Sequence, residues 1–334
     1  MILSRRLNSI TRLTLWKSAV NDEYSEIPCP RCGAYTRIDR IFCLRCRHRI
    51  IPLTQYDLAV EDFIYPPDKD GIESIKDLDP LPQIIKHLLI EKKLERLRSQ
   101  LARGSIRVKP LSSLGSIIRR CGIMLGLRVL PESFIIQSET PQAFTFGTDE
   151  EPVLVISSPM LEMMNERELE AVIAHELGHV KSGHLVYHTL AELLVRGASL
   201  SLSLMGLDLA AEPLKLLLLA WHRDSEISAD RASLLVTKDL GVIKSMFSKL
   251  IRYSEGGFEG ILDSVSELFK THPTYLNRIE KLEEFYNSVE FRNARAKIER
   301  RITLLNAISP ICRFCGARKP LLSLFCPSCG RSQV

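Results

Sequence analysis

Apolar positions along the chain change their period several times, and each change marks an expected element. Between Ile84 and Leu101, residues Ile85, Leu88, Leu89, Leu94 and Leu97 recur at helical spacing with charges between them, which predicts an amphipathic helix. A second helix is predicted over Leu111–Leu125. Short β-prone clusters follow at Arg128–Gln137, Ala143–Gly147 and Val153–Ser157, punctuated by Pro131, Pro141, Gly147 and Pro152, and read as strands. The rest is mainly helical. Asn165 and Glu168 have the spacing of a capping box, so a helix should start near Glu166 and run through Ala171, Val172, His175, Leu177 and His179. The proline-rich, acidic stretches Tyr65–Gly71 and Asp79–Pro82 read as extended connections and turns. Charges at Arg196, Asp208, Glu212 and Lys215 interrupt the apolar stretch Leu193–Leu219, leaving no run of the roughly 20 apolar residues that a membrane-spanning helix requires.

On the helix expected after Asn165, His175 and His179 stand four residues apart, so both imidazoles project from one face and can bind one zinc ion. Glu176, one residue on, cannot share their direction, which suits a base acting on water at the metal. A catalytic zinc needs a third protein ligand, and Glu226 on a later helix is the natural candidate. Asp230, one helical turn further, could accept the N–H of a zinc-binding histidine and fix its tautomer. Taken alone, Glu226 and Asp230 would read as a solvated helix face.

An internal repeat brackets this region. Cys29-Pro-Arg-Cys32-Gly33-Ala34 leading to Phe42-Cys43-Leu-Arg-Cys46 recurs as Cys312-Arg-Phe-Cys315-Gly316-Ala317 leading to Phe325-Cys326-Pro-Ser-Cys329. Four thiolates on two such turns can surround zinc tetrahedrally, so each copy is similar to a minimal zinc ribbon with one structural ion. Free or redox-active thiols are the alternative. With no long apolar secretory segment ahead of them, a reducing compartment and metal binding fit the cysteines better than disulfides. The ninth cysteine, Cys121, lies in an apolar helix-like run and is expected in the core.

Four motifs standing in order resemble the HtpX-like and CAAX prenyl protease 1 group of zinc metallopeptidases. They are Pro141-Gln-Ala143-Phe144-Thr145-Phe146-Gly147, Glu168 through His179, Glu226 to Asp230, and His272-Pro273-Thr-Tyr-Leu-Asn-Arg278. The resemblance covers roughly Asp62 to Tyr286. It implies an α+β gluzincin fold, mostly helical with a small β-sheet. It also implies His175, His179 and Glu226 as ligands, Glu176 as general base, and His272 with Arg278 near the developing oxyanion. The strand Ala143–Gly147 could bind an extended peptide by β-augmentation. Many members of that group have membrane-spanning helices, whereas the hydropathy here favours at most peripheral membrane contact.

The expected organisation is a basic arm over 1–21, a ribbon over 22–55, a linker over 56–84, the peptidase domain over 85–291, and a C-terminal helix with the second ribbon over 292–334. Charge follows it: residues 1–55 hold 10 Lys/Arg against 4 Asp/Glu and residues 292–334 hold 9 against 1, so the middle is acidic although the whole chain carries +5. Basic residues suit the surroundings of a zinc–tetrathiolate centre, whose net charge is −2, as well as anionic partners. Without a clear stacking platform, protein contact through the ribbons is favoured over nucleic acid. The acid-free first 21 residues suit an interfacial helix, an organellar transit segment or a plain basic arm in a cytoplasmic protein. The expectation is therefore a metalloendopeptidase with one catalytic and two structural zinc ions acting on polypeptides. The alternative is a catalytically silent zinc-ribbon scaffold for a partner protein.

Overall fold

In the computed structural model the described residues are 26–37, 40–51, 53–77, 91–195, 208–255, 275–320, 323 and 325–333. The chain divides into two units, one of Leu53–Ile302 and one formed by Met1–Pro52 with Thr303–Val334.

In the smaller unit, β1 (Glu26–Pro28) and β2 (Tyr35–Arg37) form an antiparallel pair. The larger unit has a four-stranded sheet and a set of helices. Its strands are β3 (Ile106–Arg107), β4 (Glu132–Ile136), β5 (Ala143–Gly147) and β6 (Pro152–Ser157), ordered β3-β4-β6-β5. The β4–β6 pair is parallel and the other pairs are antiparallel, so β5 is an edge strand among the described residues. Every residue of β6 is buried. Val153 and Val155 join one apolar cluster while Leu154 and Ile156 join another, as expected when alternating side chains of a central strand meet layers on both faces.

The helices are α1 (Pro66–Lys76), α2 (Glu91–Gly104), α3 (Ser113–Met124), α4 (Ser158–Met163), α5 (Glu166–Ser182), α6 (Leu185–Val195), α7 (Asp208–Thr237), α8 (Leu240–Glu255), α9 (Tyr275–Tyr286) and α10 (Val289–Ile308). The mostly helical α+β expectation holds. Helix α5 begins where the capping box predicts: Asn165 Oδ1 accepts the Arg167 and Glu168 N–H groups at 3.0 Å, and Glu168 accepts the Asn165 N–H at 2.9 Å. Gly183, at φ +74°, ends the helix in the left-handed conformation. Cys121 is buried in the core as expected. No helix among the described residues is long and apolar enough to cross a membrane.

One expectation is corrected. The stretch Tyr65–Gly71, read as extended connection and turns, opens α1, with Pro66 and Pro67 in its first turn. Proline lacks only an N–H that a helix start leaves unbonded, and its fixed φ suits that position. Apolar Ile72 and Ile75 then anchor α1 in the core beside Trp221 of α7. The Asp79–Pro82 stretch and residues 1–21 lie outside the described residues.

Helices α5 and α7 approach each other closely. A Cβ added to Gly178 would lie 2.8 Å from the Ala232 Cβ and 3.1 Å from the Ala229 Cα. Glycine thus lets the segment carrying His175 and His179 meet the segment carrying Glu226 and Asp230. On helix propensity alone Gly178→Ala would stabilise by up to about 1 kcal/mol. Overpacking costs about 1–3 kcal/mol, so we expect net destabilisation in chemical denaturation together with weaker zinc binding. A stabilised variant with unchanged metal affinity would contradict this packing.

Candidate metal centre

Three donor atoms converge between α5 and α7. His175 Nε2 and His179 Nε2 are 3.2 Å apart, and each lies 3.4 Å from an oxygen of Glu226. A tetrahedral zinc with ligands at 2.0–2.1 Å has ligand–ligand edges of about 3.3–3.4 Å, which each of these separations approaches, Glu226 using Oε2 toward His175 and Oε1 toward His179, so the three side chains fit such an ion. Both histidines point Nε2 inward and use Nδ1 outward: His175 Nδ1 meets Asp230 Oδ1 at 3.0 Å, and His179 Nδ1 meets His184 Nδ1 at 3.0 Å. Asp230 thus stands where a carboxylate could accept from a histidine of the pair, while no sequence motif marks the His184 contact.

Arg278, from α9, is buried and pinned to the carboxylates of α7. Its Nε and Nη2 donate to Asp230 at 2.7 Å each, Nη1 lies 3.2 Å from Glu226, and the guanidinium stacks 4.8 Å from the Phe247 ring centre. Burial would raise the Asp230 pKa, but Arg278 and the His175 hydrogen bond outweigh it and hold the carboxyl below its usual range. His272 lies outside the described residues.

Glu176 is buried on the β5 side of the cluster. Thr145 of β5 donates its hydroxyl to Glu176 Oε2 at 3.0 Å. Burial, aided by the nearby Glu226 charge, raises the Glu176 pKa against the pull of His175, which suits a group that must take up and return a proton. The strand Ala143–Gly147 therefore brings one of its side chains to the candidate base. Phe144 is exposed, whereas Phe146 and Gly147 are buried.

The cysteines form two clusters of their own. In the first, Cys29 and Cys46 sulfurs are 3.5 Å apart and those of Cys32 and Cys43 are 3.7 Å apart. In the second, the Cys312–Cys329 and Cys315–Cys326 separations are 3.8 and 3.7 Å. Disulfide sulfurs lie about 2.05 Å apart, and a tetrahedral zinc with Zn–S near 2.3 Å has edges of about 3.8 Å. The thiols are free and fit the ion. Burial opposes ionisation of Cys43, but N–H groups of Cys46 and Arg45 outweigh it and lower the thiol to about 6. Gly33 and Gly316 sit at φ +69° and +70° after the first CxxC of each copy. After the second, Arg47 (φ 57°) matches Gly330 (φ 69°), so the repeat extends to the backbone where residue identity has diverged.

Two imidazoles and a carboxylate on facing helices, with a buried carboxyl beside an edge strand, define a centre of the metallopeptidase class. Comparison with known proteins agrees. The model of Peptidase family M48 matches residues 112–286, a segment containing every residue of the histidine–glutamate cluster, and the chain belongs to that family. Plastoglobule-localized metallopeptidase 48, chloroplastic, of Arabidopsis thaliana is 31% identical over 224 residues, which cover 66% of this chain and 63% of that protein. Protease HtpX homologs of Campylobacter curvus and Bacillus subtilis are 25% and 28% identical over 53% and 50% of this chain, covering 75% and 67% of theirs. The match thus spans less than two thirds of the Arabidopsis protein. No solved structure gives a significant match.

The electrostatics make metal uptake proton-linked. Burial would lower the His175 pKa, but hydrogen bonds to Asp230 and Glu226 outweigh it and raise it to about 10, whereas burial lowers His179 to about 3. Without metal at neutral pH, one proton therefore sits on His175 between the two carboxylates, and a cation must expel it. Zinc affinity at this centre should rise with pH up to about 10, and calorimetry in buffers of different ionisation enthalpy should show about one proton released per ion. Buffer-independent heats at neutral pH would contradict the assignment.

Proposed function

We propose that the chain is a zinc-dependent metalloendopeptidase that hydrolyses peptide bonds in polypeptide substrates. The observation that carries this reading is the convergence of His175, His179 and Glu226 at separations close to the edge length of a zinc tetrahedron, with Glu176 beside them. Bound zinc supplies Lewis acidity, bringing the pKa of water to about 7 and polarising a carbonyl. Glu176 takes the proton from the attacking water and returns it to the leaving amine. An extended substrate pairs along β5, whose open edge offers backbone groups. Thr145, on the same strand, holds the Glu176 carboxylate in place.

Asp230 accepts from His175 Nδ1–H, which leaves the Nε2 lone pair for the ion. Arg278, which the family resemblance places near the oxyanion together with His272, supports the site through its grip on Asp230 and Glu226. The two cysteine clusters each hold a structural zinc, giving three ions per chain, and the ribbons are the surface we assign to a protein partner. The domain scheme with a peptidase core between ribbons is part of this reading. The Arabidopsis relative is a plastoglobule-localized, chloroplastic protein by name. Together with the acid-free basic segment 1–21, it supports an organellar or membrane-peripheral location over a purely cytoplasmic one.

Glu176→Gln and Glu226→Ala separate base from ligand. The first should keep zinc at the centre and lower turnover of an unfolded-protein substrate by about 10²–10⁴-fold. The second should lose the ion itself. Wild-type cleavage by Glu176→Gln would overturn the mechanism.

A further inference from the structure

Both metal-facing histidines must present a bare Nε2, yet only His175 has a carboxylate on its other nitrogen. His179 Nδ1 instead meets another imidazole, that of His184, which is fully buried at the turn between α5 and α6. Two ring nitrogens 3.0 Å apart make a hydrogen bond only if one carries a proton and the other a lone pair. Something must decide which. His184 Nε2 lies 3.2 Å from Asp68 Oδ2, in a bent approach, and Asp68 on α1 is also fully buried.

The remaining partners of Asp68 fix its role. Trp221 Nε1, which can only donate, meets Oδ1 at 2.7 Å. Ser228 Oγ accepts the Tyr65 N–H at 2.9 Å, so its own proton goes to Asp68 Oδ2 at 2.5 Å. Asp68 thus accepts from Trp221 and Ser228, and its carboxylate stands within ion-pair distance of His184 Nε2. His184 faces it with Nε2–H, which leaves the His184 Nδ1 lone pair to receive His179 Nδ1–H, and His179 Nε2 is then bare toward the metal.

We propose that Asp68 and His184 are positioning residues for the metal centre, a relay that sets the tautomer of His179 as Asp230 sets that of His175. The relay rests on the reading of His179 as a zinc ligand. It enters the site through α1, whose Gly71 lies against Trp221 closely enough that a Cβ there would come within 2.9 Å of the indole. An aspartate far from the HExxH helix in sequence therefore controls the state of one of its histidines.

Asp68→Asn is nearly isosteric but can present an N–H to His184 Nε2. That would turn His184 over to the Nδ1–H form and set two N–H groups against each other at His179. Zinc affinity of the chelator-exchangeable site, measured on the full folded chain by competition with a chromophoric chelator, should fall by about 10- to 100-fold. His184→Asn places an amide oxygen near the former Nδ1 and needs no help from Asp68. It should bind zinc nearly as the wild type does, and adding Asp68→Asn to it should bring no further loss. Unchanged affinity in Asp68→Asn would overturn the relay, as would an equal loss in the His184→Asn background, which marks a merely structural role. If His179→Ala left the exchangeable ion in place, the ligand assignment itself would fall and the relay with it.

Discussion

Everything at this centre depends on how closely α5 can approach α7. Two imidazoles four residues apart are supplied by any helix carrying HExxH, but the third ligand must come from another helix at a separation that few side chains permit. Gly178 opposite Ala229 and Ala232 provides that separation, and a methyl group at 178 would already collide. The 3.4 Å separations of the two imidazole nitrogens from the Glu226 carboxylate oxygens are the consequence.

Bringing these helices together also buries charge. Glu176, Glu226, Asp230, Asp68 and Arg278 all lose most of their water, and such groups remain charged only where partners replace it. Arg278 neutralises the α7 carboxylates, the histidines share their hydrogen bonds, and Asp68 accepts from Trp221 and Ser228 and faces His184. Glu176 is the exception. Its Thr145 contact compensates less, and its raised pKa marks it as the carboxyl able to exchange a proton. The same desolvation that threatens stability therefore sets Glu176 apart from Asp230 and Asp68, whose partners hold their pKa values down, and supports its proposed role as base.

What the sequence made legible was local. The Asn165–Glu168 box set the start of α5, punctuated β-prone clusters marked the strands, and cysteine spacing marked both zinc-like clusters. What it hid depends on contacts across the fold. Asp68 sits in a proline-rich acidic stretch that reads as a connection, and its burial shows only where Trp221, 153 residues away, meets it. His184 follows the helix-ending Gly183, so no periodicity links it to His179, although the turn brings their rings together. Arg278 could be found through family resemblance, but its engagement with Asp230 and Glu226 required coordinates. Arg47 in a left-handed position would have been recognised only by aligning it with Gly330 of the second copy.

The central claim is that one chain holds one nitrogen–oxygen metal centre and two sulfur-only centres. Zinc analysis of the purified full chain, combined with X-ray absorption before and after mild chelation, tests it directly. Three ions are expected, with the histidine–carboxylate ion lost first and the remaining two surrounded by four sulfurs each. Failure to find any zinc with nitrogen and oxygen neighbours, in protein whose cysteine sites are filled, would contradict it.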